Sequence, residues 1–260
     1  MFKGKSNIEI KTPDQLAIMR EAGLVVARTL ARVAEAVRPG VTTADLDAIA
    51  ARSIAEAGAT PSFLGYYGYP AHICTSVNGE VVHGIPGSRV LQEGDLVSVD
   101  CGAIVRGWHG DAAISVPVGD IAPEVAALSA ATEQSMWAGL AAARVGARLS
   151  DISHAVETSL RSAGPYGIVE DYVGHGIGTA MHMPPQVPNY GAPGKGPTLK
   201  AGMALAIEPM ATLGDPEVRV LDDEWTVVTV DERPAAHWEH TVAITPDGPW
   251  VLTALDEVHL

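Results

Sequence analysis

Two aspartates and two glutamates stand at matching places in the two halves of the sequence. Asp100 closes the run Leu91-Gln-Glu-Gly-Asp-Leu-Val-Ser-Val-Asp100, and Glu208 closes Leu199-Lys-Ala-Gly-Met-Ala-Leu-Ala-Ile-Glu208, a shift of 108 residues. Asp111 in His109-Gly-Asp111 lies over Glu239 in His237-Trp-Glu239, a shift of 128. In the first half a strand ends at Asp100 and Asp111 follows in a second strand, so a hairpin could bring the two carboxylates together; the second half repeats this. Four carboxylates converging in a low-dielectric site repel one another unless cations stand between them. Two divalent ions would remove that repulsion. His175, in Gly174-His-Gly-Ile-Gly178, adds an imidazole on a backbone that flanking glycines make permissive, and His83-Gly-Ile matches it at a shift of 92. Such an oxygen and nitrogen set suits manganese, iron, cobalt or zinc better than copper. Singly, each residue has an ordinary reading, His175 as a loop histidine or Glu208 before Pro209 as an exposed turn residue. The five together point to a site for two divalent metal ions.

The elements that must position these residues are readable in the sequence between them. Thr12-Pro13-Asp14-Gln15 combines an N-cap, a proline at the first helical position and a capping-box glutamine, predicting a helix to about Arg38 that Gly40 ends. A second helix is predicted from near Thr43 to Gly58, with Leu46, Ile49, Ala50 and Ile54 on one apolar face. Strands are expected over Ile73 to Val77, Leu96 to Val99 and Ala112 to Val118, with Asn78-Gly79 as a hairpin turn. After Pro123 the pattern restarts, with a long helix to about Arg144, a shorter one from Asp151 to Ala163, and Gly164-Pro165 before a second set of strands. Arg38-Pro-Gly40 lies over Arg144-Val-Gly146 at a shift of 106, which also superposes Asp45 on Asp151, Ser53 on Ser159 and Ala57-Gly58 on Ala163-Gly164. The reading is therefore an α+β chain with pseudo-twofold halves at about 12–120 and 121–250, in one domain covering 1–260. A length of 260 residues fits one two-lobed domain.

Composition narrows the function classes. Lys and Arg total 17 against 31 Asp and Glu, so the surface field repels phosphate backbones and anionic membranes, and no nucleic-acid binding is expected. Apolar residues make up 47% and charged residues 18%, which fits a soluble globular chain. Cys74 and Cys101 are too few for a disulfide framework; they are expected to be free thiols in a reducing compartment. The N-terminal MFKGKSNIEIK lacks an apolar leader core, and the alanine-rich stretch from Ile121 to Leu149 is broken by Glu124, Glu133 and Arg144. Neither secretion nor membrane spanning is expected.

With these residues assembled, the chain resembles the bacterial type I methionine aminopeptidases, in the short form without an N-terminal zinc-binding extension. The likeness spans nearly the whole chain. It rests on Val82-His-Gly-Ile-Pro86, on Val99-Asp100 with His109-Gly-Asp111, and on Gly174-His-Gly-Ile-Gly178 with His182. Ile207-Glu-Pro209 and Trp238-Glu-His240 complete the set. The resemblance implies the pita-bread fold, in which helices cover a curved, mainly antiparallel sheet. It implies that Asp100, Asp111, His175, Glu208 and Glu239 hold two divalent metal ions (Co, Mn, Fe or Zn), with Asp111 and Glu239 bridging. Hydroxide shared by the two metals would attack the first peptide bond, with Glu208 also shuttling a proton, His182 donating near the scissile carbonyl and His83 lying near the reacting amide. Tyr66, Tyr69, Cys74, Met181 and Trp225 would line the methionine pocket, together with His83 and His182.

By the same resemblance the substrates are N-terminal peptides of nascent proteins with a small second residue, and the enzyme is a cytoplasmic monomer. Docking on the ribosome is left open. Departures from the family pattern fall around the substrate: Tyr67 stands where many members carry His, Met181 where they carry Phe, and Met183-Pro184 where an acidic residue follows the second His. These bear on side-chain tolerance and rate. Two alternatives share the fold. Proline-specific aminopeptidases usually carry a large extra N-terminal domain, whereas this chain starts at the first helix of the duplicated unit. A non-catalytic pita-bread binding module typically loses ligands, and all five are kept here.

Overall fold

Helix α1 (Pro13–Ala36) starts where Thr12 predicts, because the Thr12 side chain accepts from the Gln15 N–H and the Gln15 side chain accepts from the Thr12 N–H. The structure is a computed structural model that describes residues 8–260; the first seven positions of the MFKGKSNIEIK stretch lie outside the described residues. Helix α2 (Thr43–Glu56) is capped in the same way by Thr42 and Asp45. In the second half come α3 (Pro123–Ala142) and α4 (Leu149–Ala163), the latter with Asp151 accepting from the Arg148 N–H. The first and third helices stop about two residues short of expectation, since Val37 and Ala143 already have non-helical backbone angles. The two halves repeat each other in detail. Gly40 N–H donates to the Leu91 carbonyl and Gly146 N–H to the Leu199 carbonyl, while Thr42 bridges to Val90 and Arg148 to Thr198.

The largest sheet has ten strands, and all its pairings are antiparallel. Seven strands bear on the site: β1 (Ile73–Val77), β2 (Leu96–Val105), β3 (Trp108–Pro117), β4 (Gly174–Gly176), β5 (Met183–Val187), β6 (Ala204–Ile207) and β7 (Glu239–Thr245). They run side by side in the order β2–β3–β7–β6–β4–β5, with β1 on the outer side of β2. Val97, Val99, Cys101 and Ala103 of β2 and Ala112 of β3 pack against Val26, Leu30 and Val33 of α1 and Leu46 and Ile54 of α2. Leu205, Ile207, Val242 and Ile244 pack against Met136 and Leu140 of α3 and Ile152 and Val156 of α4. Each such aliphatic side chain contributes roughly 1.5–3 kcal/mol on burial. Because side chains alternate along a strand, burying this set under the helices turns Ser98, Asp100, Asp111, Ala113 and Glu239 to the opposite face. A one-residue slip would bury the carboxylates beneath the helices, so the apolar alternation also sets the register of the site.

Two local expectations are corrected. Asp100 does not end its strand: β2 continues to Val105, because Cys101 and Ala103 keep the apolar alternation against the helices and Gly102 pairs with Asp111. Asn78-Gly79 forms a turn, with Asn78 at φ 58°, but the flanking segments do not pair with each other. β1 pairs with β2, and Glu80–Val82 pairs with Val227–Thr229. Long-range bonds decide this: the Asn78 side chain donates to Asp95 and accepts from the Leu96 N–H.

Candidate metal centre and adjoining cavity

The ladder registers bring the five candidate ligands onto one face of the sheet. Asp100 and Glu239 are both Cα partners of Ala113, one on each side of it, so the two carboxylates flank a methyl group across three adjacent strands. Asp111 lies two residues from Ala113 on the same face. Glu208 follows directly on Ile207, the partner of His240, and His175 pairs with Ala206. Small residues at 113 and 206 leave space between the ligand side chains. Gly174 and Gly176 have ordinary negative-side backbone angles, so the permissive backbone expected around His175 is not their purpose. A Cβ on Gly174 would lie 2.3 Å from the Ala206 carbonyl oxygen and one on Gly176 2.3 Å from the Pro184 carbonyl oxygen. Glycine lets β4 fit between β5 and β6.

The polar atoms of this cluster are left without partners in a way that fits cations. The Nδ1 of His175 lies 3.0 Å from the Gly176 carbonyl and must donate to it, leaving Nε2 as a lone pair. That lone pair faces Glu208 Oε1 at 3.3 Å and Asp111 Oδ2 at 3.9 Å. Acceptors facing acceptors need a positive centre between them. Asp100 Oδ1, Asp111 Oδ1 and Glu239 Oε1 are enclosed and have no hydrogen-bond partner among the described residues. The ligand atoms of Asp111, His175 and Glu239 all lie within 4.8 Å of one another, as do those of Glu208, His237 and Glu239. Burial raises the pKa of Asp100 from 3.8 to about 7. Burial, then the neighbouring carboxylates, pushes Asp111, Glu208 and Glu239 well above the usual carboxylate range. Burial, then His182, draws His175 down to about 3, so its imidazole is neutral. The residues present thus fit hard to borderline divalent ions.

The cluster forms the floor of a cavity of about 310 Å³. All twelve residues singled out from the sequence line it. Tyr66, Tyr69, Cys74, Met181 and Trp225 form an apolar end, with Tyr69 and Trp225 edge to face at 5.0 Å between ring centroids. The Tyr69 hydroxyl is held by the Ile73 and Gly84 carbonyls. His83 sits between Tyr172 and Trp225 with φ 61°, a left-handed conformation that is uncommon outside glycine. Burial, then His182, lowers its pKa to about 4. The His182 ring stands 4.3 Å from that of His175, and its Nδ1 is 2.9 Å from the Tyr66 hydroxyl. Tyr67, at φ 48°, projects into solvent at the cavity mouth. Cys74 and Cys101 are buried free thiols.

Phe63, Tyr172, Val173 and Met210 also line the cavity and were not among the sequence candidates. They come from loops and from the short strand Met210–Thr212, and none of them repeats its residue type in the other half. His237 was visible only as the match of His109. It is buried with Nε2 4.0 Å from an oxygen of both Glu208 and Glu239. Its place two residues before Glu239 was the available signal.

Sheet and cluster together define a peptidase of the metal-dependent kind: the profile of metallopeptidase family M24 matches residues 17–246, and the chain belongs to that family. Among its relatives, methionine aminopeptidase 1 of Mycobacterium tuberculosis is 54% identical over 97% of both chains. The crystal structure of methionine aminopeptidase from Thermotoga maritima matches with a TM-score of 0.93 at 42% identity, over 95% of this chain and 100% of that one. A prolidase from Pyrococcus furiosus matches with a TM-score of 0.76 at 20% identity, over 95% of this chain and 66% of that one, which shows a shared fold alone. The fold is the pita-bread fold, as the resemblance implied. No helix among the described residues is long and apolar enough to cross a membrane.

Proposed function

We propose that this chain releases methionine from the N-terminus of nascent proteins and peptides whose second residue is small, using two divalent ions drawn from cobalt, manganese, iron and zinc. One observation carries the reading. Five ligand-competent side chains, four on strands and Glu208 directly after β6, share one sheet face at the floor of a cavity whose other end is aromatic and sulfur-bearing. Asp100, Asp111, His175, Glu208 and Glu239 would hold the ions. Bound there, the ions would supply an activated water and polarise the scissile carbonyl.

The remaining roles follow from position. The apolar end accepts a flexible thioether side chain, for which polarizable and aromatic surfaces are suited. His182 acts as a donor to the scissile carbonyl: its Nδ1 lies 2.9 Å from the Tyr66 hydroxyl, and in the tautomer where that hydroxyl donates to Nδ1 the imidazole proton is on Nε2. Burial lowers the pKa of His182, keeping the ring neutral and able to serve as that donor. His83, neutral for the same reason, lies at the boundary between the ligand cluster and the pocket, where the substrate amide would pass. Glu208, with one oxygen toward His175, carries the proton from water to the departing amine. We read residues 1–260 as one catalytic domain of two halves, monomeric and cytoplasmic, consistent with the two free buried thiols.

The test is methionine release from Met-Ala-Ser by chelated protein after separate addition of Mn2+, Fe2+, Co2+ and Zn2+, with Asp111→Asn as control and an Xaa-Pro peptide as competitor. Metal-dependent release of methionine, absent from the variant, is expected. Cleavage of the Xaa-Pro peptide alone, or of neither, would overturn the reading.

A further inference from the structure

His237 ends the short strand Ala235–His237 and pairs with Met210, which fixes its side chain beside the carboxylates but outside the lining of the cavity. Its backbone is pinned by Ser115, whose hydroxyl donates to the His237 carbonyl at 2.9 Å and accepts from the His237 N–H at 3.1 Å. Ser98 supports that hydroxyl at 2.8 Å. The side chain is 2% exposed, and Nε2 is enclosed without a hydrogen-bond partner among the described residues. It stands 4.0 Å from Glu208 Oε2 and 4.0 Å from Glu239 Oε2. The other oxygen of Glu208 faces His175 at 3.3 Å. One imidazole thus meets Glu208 from the cavity side and another from behind.

A buried ring nitrogen left without a partner costs about 1–3 kcal/mol, and in the tautomer with the proton on Nε2 a shift of about 1 Å would bring it within hydrogen-bond reach of either carboxylate. A nitrogen equidistant from the rear oxygens of two ligands is placed to orient both. We propose that His237 is a positioning residue of the metal centre, its Nε2–H holding the rear oxygens of Glu208 and Glu239 so that their front oxygens face the cations. This rests on the ligand assignment made above. Direct coordination by His237 is the less favoured arrangement, because the five ligands line the cavity and His237 does not.

The experiment is calorimetric titration of chelated full-length protein with Mn2+, comparing the unaltered chain with His237→Gln, His237→Asn and His237→Leu, and a thermal melt of each apoprotein. Glutamine places an amide N–H near the Nε2 position, whereas asparagine reaches only the Nδ1 position. The variant H237Q should bind the same number of ions within about threefold of the parent affinity, and H237N and H237L about 10–100-fold more weakly with the ion count unchanged. Should H237L fail to fold, the contrast between H237N and H237Q carries the same test. Parent-like affinity in H237N and H237L would overturn the proposal, and so would loss of one ion in H237Q, which would make His237 a ligand. No Mn2+ binding by the unaltered chain would instead overturn the ligand assignment, and the proposal with it.

Discussion

Replacing Asp100 by asparagine should stabilise the metal-free protein at pH 8. In the folded chain burial raises the Asp100 pKa to about 7 from an ordinary 3.8. Between those two values the folded state holds more protons than the unfolded state, so stability falls as pH rises through the window and stays low above it. The full displacement corresponds to on the order of 4 kcal/mol. The variant escapes that cost. It also relieves Asp111, Glu208 and Glu239, each of which is pushed upward in part by the Asp100 charge. For a chain of this length, with an unfolding entropy near 2.1 cal/mol/K per residue, about 4 kcal/mol is a rise in Tm of roughly 7 °C. At pH 5 only the part of the window from 3.8 upward has been crossed, and the advantage should shrink to roughly 2 kcal/mol. Differential scanning calorimetry of parent and D100N in chelator at pH 5 and pH 8 reads both numbers. Adding Mn2+ to 100 times its Kd should narrow the pH 8 gap by about 3 kcal/mol for each ion that binds the parent's folded state and not the variant's. A variant no more stable than the parent at pH 8, or a gap equal at the two pH values, would refute the reasoning.

Other perturbations test separate parts of the arrangement. Glu208→Gln should abolish methionine release and weaken Mn2+ binding measured by calorimetry; an active variant would remove Glu208 from both roles. Tyr66→Phe deletes the hydroxyl that faces His182 Nδ1 at 2.9 Å, and steady-state kinetics should show kcat lower by about tenfold with KM little changed. Equal kcat would show that Tyr66 does not set the His182 tautomer. Gly110→Ala places a Cβ 2.7 Å from the Gly23 backbone nitrogen, where β3 meets α1. Urea unfolding should report a loss of about 1–3 kcal/mol.

Much of this protein was legible in the chain because the signals are local or repeated. Thr12, Thr42 and Asp151 mark helix starts through side-chain bonds to backbone groups three residues away, so the helices are readable from short windows. Their apolar faces recur at helical spacing, and the helix pairs recur a second time. The carboxylates were legible for another reason. The duplicated halves place Asp100 with Glu208 and Asp111 with Glu239, and unbalanced charge at matching strand positions has few purposes other than binding cations.

The remaining features depend on contacts between residues far apart in sequence. No local rule says that β2 runs past Asp100, since its continuation is decided by helices packing on Cys101 and Ala103. Asn78-Gly79 has the composition of a hairpin turn, but acceptors and donors at positions 95 and 96 take its polar groups and send the next strand to another sheet. The glycines around His175 looked like conformational freedom and turned out to be clearance for two neighbouring strands. His237 carries no motif of its own; only the fold sets its ring against two carboxylates 4.0 Å away. Residue types and their repetition thus determined by themselves which side chains could form a centre. Ladder register, which sums many apolar contacts across the sheet, decided that they face one another and what surrounds them.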